Sequence, residues 1–211
     1  MLRESTLGNH YLKWVEGILV PFFHRLTLKP NHLTFLALFI SLLTIPAYLH
    51  SLWLGGIGVL ISGIFDTLDG GLARMADQKT RSGAFLDSVL DRYSDFFAVL
   101  GIWLYFSVHP VHHGVLITAL LFLFLSGSFM VSYARARGEG LGLSISRGVF
   151  GRAERVVCLG FGSILNDLLI VALPSQSWLT DYLFFIALLV LLTLGTHLTA
   201  LQRIVTLSKS L

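Results

Sequence analysis

Six long apolar runs leave this chain few ways to fold. They lie at about residues 32–53, 54–75, 83–107, 112–134, 150–172 and 178–201, and each approaches the ~20 residues a helix needs to cross ~30 Å of hydrocarbon. Charged residues are 13% of the chain, about half the roughly one quarter usual in soluble domains. The pattern predicts an all-α integral membrane protein with six transmembrane helices, organised as a single membrane domain over 1–211. The bundle itself is expected at 31–206.

The basic residues then orient the bundle. The first, third and fifth connections read HSLWLGG, SVHPVHH and NDLLIVALPSQSWLTD, and none contains Lys or Arg. All fifteen Lys and Arg fall at the opposite ends, which predicts a cytoplasmic-membrane protein with both termini and the even-numbered connections in the cytoplasm. The net charge of +3 is thereby accounted for without nucleic acid as a partner.

Residues 1–30 precede the first run. Leu7, Tyr11, Leu12, Val15, Ile18, Leu19, Phe22 and Phe23 recur at three- and four-residue steps, interrupted by Lys13, Glu16, His24 and Arg25. This fits an amphipathic interfacial helix over 7–26 with its aromatic face in lipid; an irregular first crossing is the alternative. The segment lacks a short apolar core with a small-residue cleavage site, so no removable signal peptide is expected. Asn31 is a candidate N-cap for the first span. Cys158 is the lone cysteine, which excludes an intramolecular disulfide or a thiolate cluster. The histidines of HPVHH (109–113) read as a hydrated outer loop rather than a metal cluster.

Against this apolar background, the segment from Phe65 to Asp95 holds six of the twelve acidic residues. Asp66 and Asp69 are three apart, and Asp87 and Asp91 four apart, so each pair shares one helix face. The two helices are consecutive and antiparallel, which brings all four carboxylates together near the cytoplasmic ends. Buried acids this close cannot all stay ionised without cations, and Arg74 and Arg92 are too few. Hard oxygen donors without Cys or His favour Mg²⁺ or Mn²⁺. A purely structural ion-pair network is the alternative. Gly70, Gly71, Ala73 and Gly83 clear space beside the acids for a ligand or for a facing helix. Arg74 could reach a phosphate or snorkel to the interface.

Asp66, Asp69-Gly70, Ala73-Arg74, Gly83, Asp87 and Asp91 spell D-x2-D-G-x2-A-R-x8-G-x3-D-x3-D. This resembles the signature of the CDP-alcohol phosphotransferases, membrane enzymes of phospholipid synthesis, whose six spans and preceding interfacial helix the whole chain also resembles. The resemblance implies transfer of the phosphatidyl group of a CDP-linked lipid such as CDP-diacylglycerol to an alcohol, with release of CMP. It implies two ions, Mg²⁺ or Mn²⁺, bound by Asp66, Asp69, Asp87 and Asp91, with Asp91 also the general base. It places Gly70, Ala73, Arg74 and Gly83 at the CDP-lipid, and it implies a homodimer. Asn31 and Thr34 match a P-N-x-x-T-like element near the nucleotide, although capping alone would explain Asn31. Asp95 either orients a catalytic neighbour or pairs with an arginine.

Three arginine-bearing segments, SYARARGEGLG (132–142), GRAERVV (151–157) and LQRIV (201–205), end or begin on the same side. Their arginines either make an anion pocket or anchor helix ends. The first two resemble the branch that makes phosphatidylinositol phosphate, which implies Arg135, Arg155 and Arg203 as ligands of the acceptor's phosphate. Arg135 stands where that branch suggests Lys, and GRAER departs from something near ERPER. The acceptor is therefore expected to be inositol phosphate, with glycerol 3-phosphate as the competitor. From another class, a membrane cation transporter would use buried acids too, but would favour acids near the midplane and paired repeats. A prenyltransferase would carry two separated aspartate motifs.

Overall fold

The computed structural model describes residues 17, 19–25, 29–78, 80–143, 148, 150–173 and 182–211. Among these the chain is all-helical. Seven α-helices follow one another: α1 (Val20–Arg25), α2 (Pro30–His50), α3 (Leu52–Met75), α4 (Arg81–Val108), α5 (Gly114–Gly140), α6 (Arg152–Ala172) and α7 (Leu183–Ser208). Five of them, α2, α3, α5, α6 and α7, are long and apolar enough to cross a membrane, where a helix satisfies its own backbone polar groups. The fold is that expected of an integral membrane protein. α4 has 28 residues, but Arg81, Asp87, Asp91, Arg92 and Asp95 load its first half with charge.

Contacts between helices give their directions. Thr34 meets Asp69, Ser62 donates to the Ala37 carbonyl (3.0 Å), and Tyr48 lies against Gly55, so α2 and α3 are antiparallel. Gly56 faces Gly160 and Gly63 faces Val156, so α3 and α6 are antiparallel too. Thr193, His197 and Arg203 of α7 reach the carbonyls of Leu120, Leu123 and Val131 of α5 in that order, so these two run parallel. Asn31 near Gly83 and Tyr48 near Gly101 make α2 and α4 parallel. The starts of α2, α4 and α6 consequently share one end of the bundle with the ends of α3, α5 and α7.

The core shows why small residues recur. Tyr48 is fully buried, with its ring filling the space left by Gly55 and Gly101; its hydroxyl pairs with Ser163 Oγ at 3.2 Å. At the α3–α6 crossing a Cβ on Gly56 would stand 2.5 Å from the Gly160 carbonyl oxygen, well inside van der Waals contact. Close backbone approach of this kind is a main source of attraction between helices in lipid, where apolar burial supplies little. Gly56→Ala is expected to cost about 1–2 kcal/mol by overpacking, read as a lower thermal midpoint in detergent; an unchanged midpoint would mean that the crossing is not tight.

Several expectations need adjusting. α2 starts two residues early, with Lys29 as N-cap and Pro30 at the first helical position. Proline lacks the N–H that is an orphan there anyway and has its φ preset, so Asn31 lies inside the helix rather than capping it. α5 continues to Gly140 and α7 to Ser208, beyond the apolar runs at 134 and 201, because polar residues extend a helix outside hydrocarbon as readily as within it. The interfacial helix expected at 7–26 lies mostly outside the described residues. Of its described part, Phe22 is exposed, but Val20 is buried with Leu33, Leu68 and Leu72. Phe23 packs edge-on against Phe65 at 5.8 Å. That face covers the acid-bearing end of α3 rather than facing lipid. At the other end of the bundle, His109 stacks on Tyr105 at 4.5 Å, while His112 and His113 pair with each other. Among the described residues the three histidines make no metal-donor cluster.

Candidate active site

The end of the bundle shared by the starts of α2, α4 and α6 holds every residue nominated from the sequence. Three carboxylates meet there. Asp66 of α3 and Asp87 and Asp91 of α4 each offer an oxygen, and these oxygens lie within 4.8 Å of one another. The four-residue spacing of Asp87 and Asp91 puts both on the face that meets Asp66, because α3 and α4 bring their charged ends together; Asp69, expected with them, is not among the converging three. All three are partly buried. The donors are hard oxygens, with no thiolate or imidazole among them, a set suited to Mg²⁺ or Mn²⁺. The group could therefore hold a metal ion.

Asp69 faces a neighbouring direction. It is 5% exposed, and its Oδ2 accepts a 2.6 Å hydrogen bond from Thr34 Oγ1. Thr34 is positioned by α2 one turn after Pro30, whose carbonyl its hydroxyl also reaches at 3.2 Å. Asn31, on the preceding turn, comes to Gly83: a Cβ there would be 3.4 Å from Asn31 Oδ1 and 2.9 Å from Thr80 Oγ1. Thr80 caps α4 by accepting the Gly83 N–H at 3.0 Å. Arg74 folds back along α3, so that a Cβ on Gly70 would be 3.4 Å from Arg74 Nη1. Ala73 lies in the same turn, half-buried. Asn31, Thr34, Asp69, Gly70, Ala73, Arg74 and Gly83 thus rim one side of the carboxylates, and the bare backbone at Gly70 and Gly83 leaves room beside them.

The opposite side is basic. Arg152 of α6 inserts into the acids: its Nη1 pairs with Asp66 Oδ2 and lies 2.9 Å from Asp91 Oδ1, and its Nε is 3.5 Å from Asp95 Oδ1. Asp95 also accepts from Arg155 Nη2 at 3.2 Å. Its side chain therefore pairs with two arginines, one of the alternatives its four-residue step from Asp91 allowed. Arg92 sits to the side, 3.5 Å from Asp91 Oδ2, and donates to Ser132 Oγ on α5 at 2.7 Å. Arg152 is the residue that sequence reasoning placed only among helix-end arginines. The available signal was arithmetic: Arg74 and Arg92 did not balance the acids, and GRAER lies on the same side.

Arg155 and Arg203 lie beneath this surface, 2% and 4% exposed. Arg203 Nη1 donates to the Val131 carbonyl at 2.6 Å. Nε and Nη1 of Arg155 and Nε of Arg203 are buried without a hydrogen-bond partner among the described residues. Arg135 and Arg155 are both near enough to Arg203 to repel it. Buried like charges with unspent donors are costly unless an anion joins them. Arg135 is the exposed member, turned to Glu139 Oε1 at 2.8 Å in an i,i+4 pair.

The family model described as CDP-alcohol phosphatidyltransferase matches residues 27–208. An archaetidylinositol phosphate synthase of Methanothermobacter thermautotrophicus is 32% identical over 97% of this chain and 95% of its own length. A phosphatidylinositol phosphate synthase of Corynebacterium glutamicum is 32% identical over 97% and 90%. Among solved structures, the phosphatidylinositol phosphate synthase of Mycobacterium tuberculosis, in complex with manganese and citrate, superposes with a TM-score of 0.76 at 27% identity, covering 90% of this chain and 87% of that one. The same enzyme with CDP-DAG bound gives 0.75.

Proposed function

Because the chain belongs to the CDP-alcohol phosphatidyltransferase family, we propose that it transfers the phosphatidyl-type group of a CDP-linked lipid to a hydroxyl of inositol phosphate, releasing CMP. The observation that carries the acceptor is the pair of buried arginines, Arg155 and Arg203, with donors left unspent beside the carboxylates. A phosphorylated alcohol supplies an anion for those donors, whereas a neutral alcohol would leave the excess positive charge as it is. Both full-length relatives bear names of inositol phosphate products, one archaetidyl and one phosphatidyl, which supports the acceptor and leaves the donor's lipid tail open.

The proposed reaction assigns roles to the geometry. Asp66, Asp69, Asp87 and Asp91 would hold two divalent ions, Mg²⁺ or Mn²⁺, which when bound offset the charge of the diphosphate and of the departing CMP oxygen. Thr34 orients Asp69 through its 2.6 Å bond. Asn31, Gly70, Ala73, Arg74 and Gly83 receive the nucleotide end of the donor. Arg135, Arg155 and Arg203 hold the acceptor phosphate. Asp91 accepts the proton of the attacking hydroxyl, as a weak nucleophile requires. A site at one end of a six-span bundle, with α4 as the third span, lets acyl chains stay in lipid while the nucleotide enters from the cytoplasm. The lysines and arginines put that end, and both termini, on the cytoplasmic side. The chain is one domain, working as a homodimer in the cytoplasmic membrane.

The test is release of CMP by the purified chain with CDP-diacylglycerol and Mg²⁺, comparing inositol 1-phosphate, glycerol 3-phosphate and inositol. Inositol 1-phosphate is expected to give the largest kcat/KM, and chelation of the metal to abolish turnover. Preference for glycerol 3-phosphate would keep the anion pocket and change the acceptor. Preference for inositol would overturn the assignment of the arginines.

A further inference from the structure

One cation already occupies the ground between the carboxylates. Arg152 Nη1 bridges Asp66 and Asp91, two of the three acids whose oxygens converge closely enough to share an ion. A divalent ion held by the same oxygens would stand next to that guanidinium, and the repulsion of such charges a few ångströms apart is worth several kcal/mol even when partly screened. Arg152 and the ion cannot share the place. Yet removing the arginine without replacing it would leave the acids packed together with only Arg92 beside Asp91, a configuration that strongly destabilises a partly buried site.

The surroundings give Arg152 a second position. Its Nε is already 3.5 Å from Asp95 Oδ1, so releasing Nη1 requires rotation about the last side-chain bonds and no movement of α6. Next to it is a cavity of about 30 Å³ whose lining includes Arg152, Arg155, Asp95, Ser94, Ser62 and Ser41 and none of the three converging acids. That is room for a water or two and so for part of a guanidinium, with hydroxyls and a carboxylate in its walls. Asp95 is not one of the converging three; its Oδ2 is held by Arg155, and its Oδ1, the oxygen already facing Arg152, remains for the withdrawn guanidinium.

We propose that Arg152 is a displaceable counter-cation: it bridges Asp66 and Asp91 when the site holds no divalent ion, and it withdraws to Asp95 when one binds. The converging acids face a cation in both states, and the affinity for the ion is set by a competition within the protein. Asp95 is the positioning residue of this exchange, because it keeps the withdrawn arginine beside the site. The inference rests on the carboxylates being a metal site, and it concerns binding rather than turnover.

The experiment is a Mn²⁺ titration of the full chain in detergent, without substrates, reading free Mn²⁺ by its EPR signal, with thermal midpoints measured before and after addition. Arg152→Gln is expected to tighten Mn²⁺ at least about tenfold, to lower the midpoint of the metal-free protein, and to regain it with Mn²⁺. Arg152→Lys, which keeps the charge, should stay nearer the wild-type affinity. Asp95→Asn removes the second position and is expected to weaken Mn²⁺ about tenfold, an opposite sign that holds the test open if the glutamine variant does not fold without metal. Unchanged or weaker Mn²⁺ binding by Arg152→Gln, or wild-type affinity in Asp95→Asn, would overturn the exchange while leaving the metal site in place. No Mn²⁺ binding by the wild-type chain would remove the metal reading, and the proposal with it.

Discussion

Asp91→Asn is expected to slow CMP release about 10²- to 10⁴-fold at saturating substrates, the range for loss of a positioned general base, with a much smaller change in CDP-lipid affinity. The substitution is close to isosteric. Its carbonyl oxygen can still accept from Arg152 Nη1, which lies 2.9 Å from Asp91 Oδ1, so the local packing has no reason to collapse. What disappears is the charge and basicity needed to take a proton from an alcohol. Asp91 is also one of the three converging carboxylates, and a metal-holding role would show differently. A loss of CDP-lipid binding as large as the loss of rate would assign Asp91 mainly to the ion. Comparison with Asp87→Asn sharpens the reading, because Asp87 shares the converging oxygens but has no proposed part in proton transfer.

The meeting of acids from two helices was legible in the sequence because helical spacing carries it, although three of the four carboxylates converge and Asp69 turns to Thr34. Asp66 and Asp69, and Asp87 and Asp91, fall on helix faces by arithmetic, and two consecutive antiparallel helices leave those faces only one way to meet. Gly70 and Gly83 could be read as space without knowing what they adjoin; that Gly83 receives Asn31 across more than fifty residues needed the structure. Composition also located the helices, since apolar length is what makes a span. It located their polar ends poorly. Nothing in hydropathy marks where α5 stops once it leaves the apolar run, so Glu139, which pairs with Arg135 on its last turns, read as part of a connection. Partner choice was the least accessible. The register of α6 against α3 and α4 sends Arg152 to Asp66 and Asp91 and Arg155 to Asp95. Three residues of separation decide which arginine enters the acids and which stays below them. The segment GRAER contains both, and only tertiary packing distinguishes them.

Arg203→Gln is expected to raise the KM for the phosphorylated acceptor about 10- to 100-fold, the loss of one or two hydrogen bonds to a charged group at roughly 1.5–3 kcal/mol, with the KM for CDP-lipid little changed. Arg203 is the cleanest probe of the pocket. Arg155 pairs with Asp95, so its removal strands a buried carboxylate and confounds binding with stability. Arg135 is exposed and held by Glu139, so solvent would dilute its effect. Among the described residues no carboxylate pairs with Arg203; its contact is the Val131 carbonyl, and a glutamine amide could serve that carbonyl in part. Gly148 lies against the guanidinium, where a Cβ would be 3.3 Å from Nε, which limits the room for the side chain to swing aside. An arginine that only anchored the end of α7 would leave both KM values unchanged. One that bound the donor's diphosphate would move the CDP-lipid KM instead. If inositol 1-phosphate and glycerol 3-phosphate lose affinity equally, Arg203 reads the phosphate alone, and the choice between the two alcohols lies with residues that face the ring.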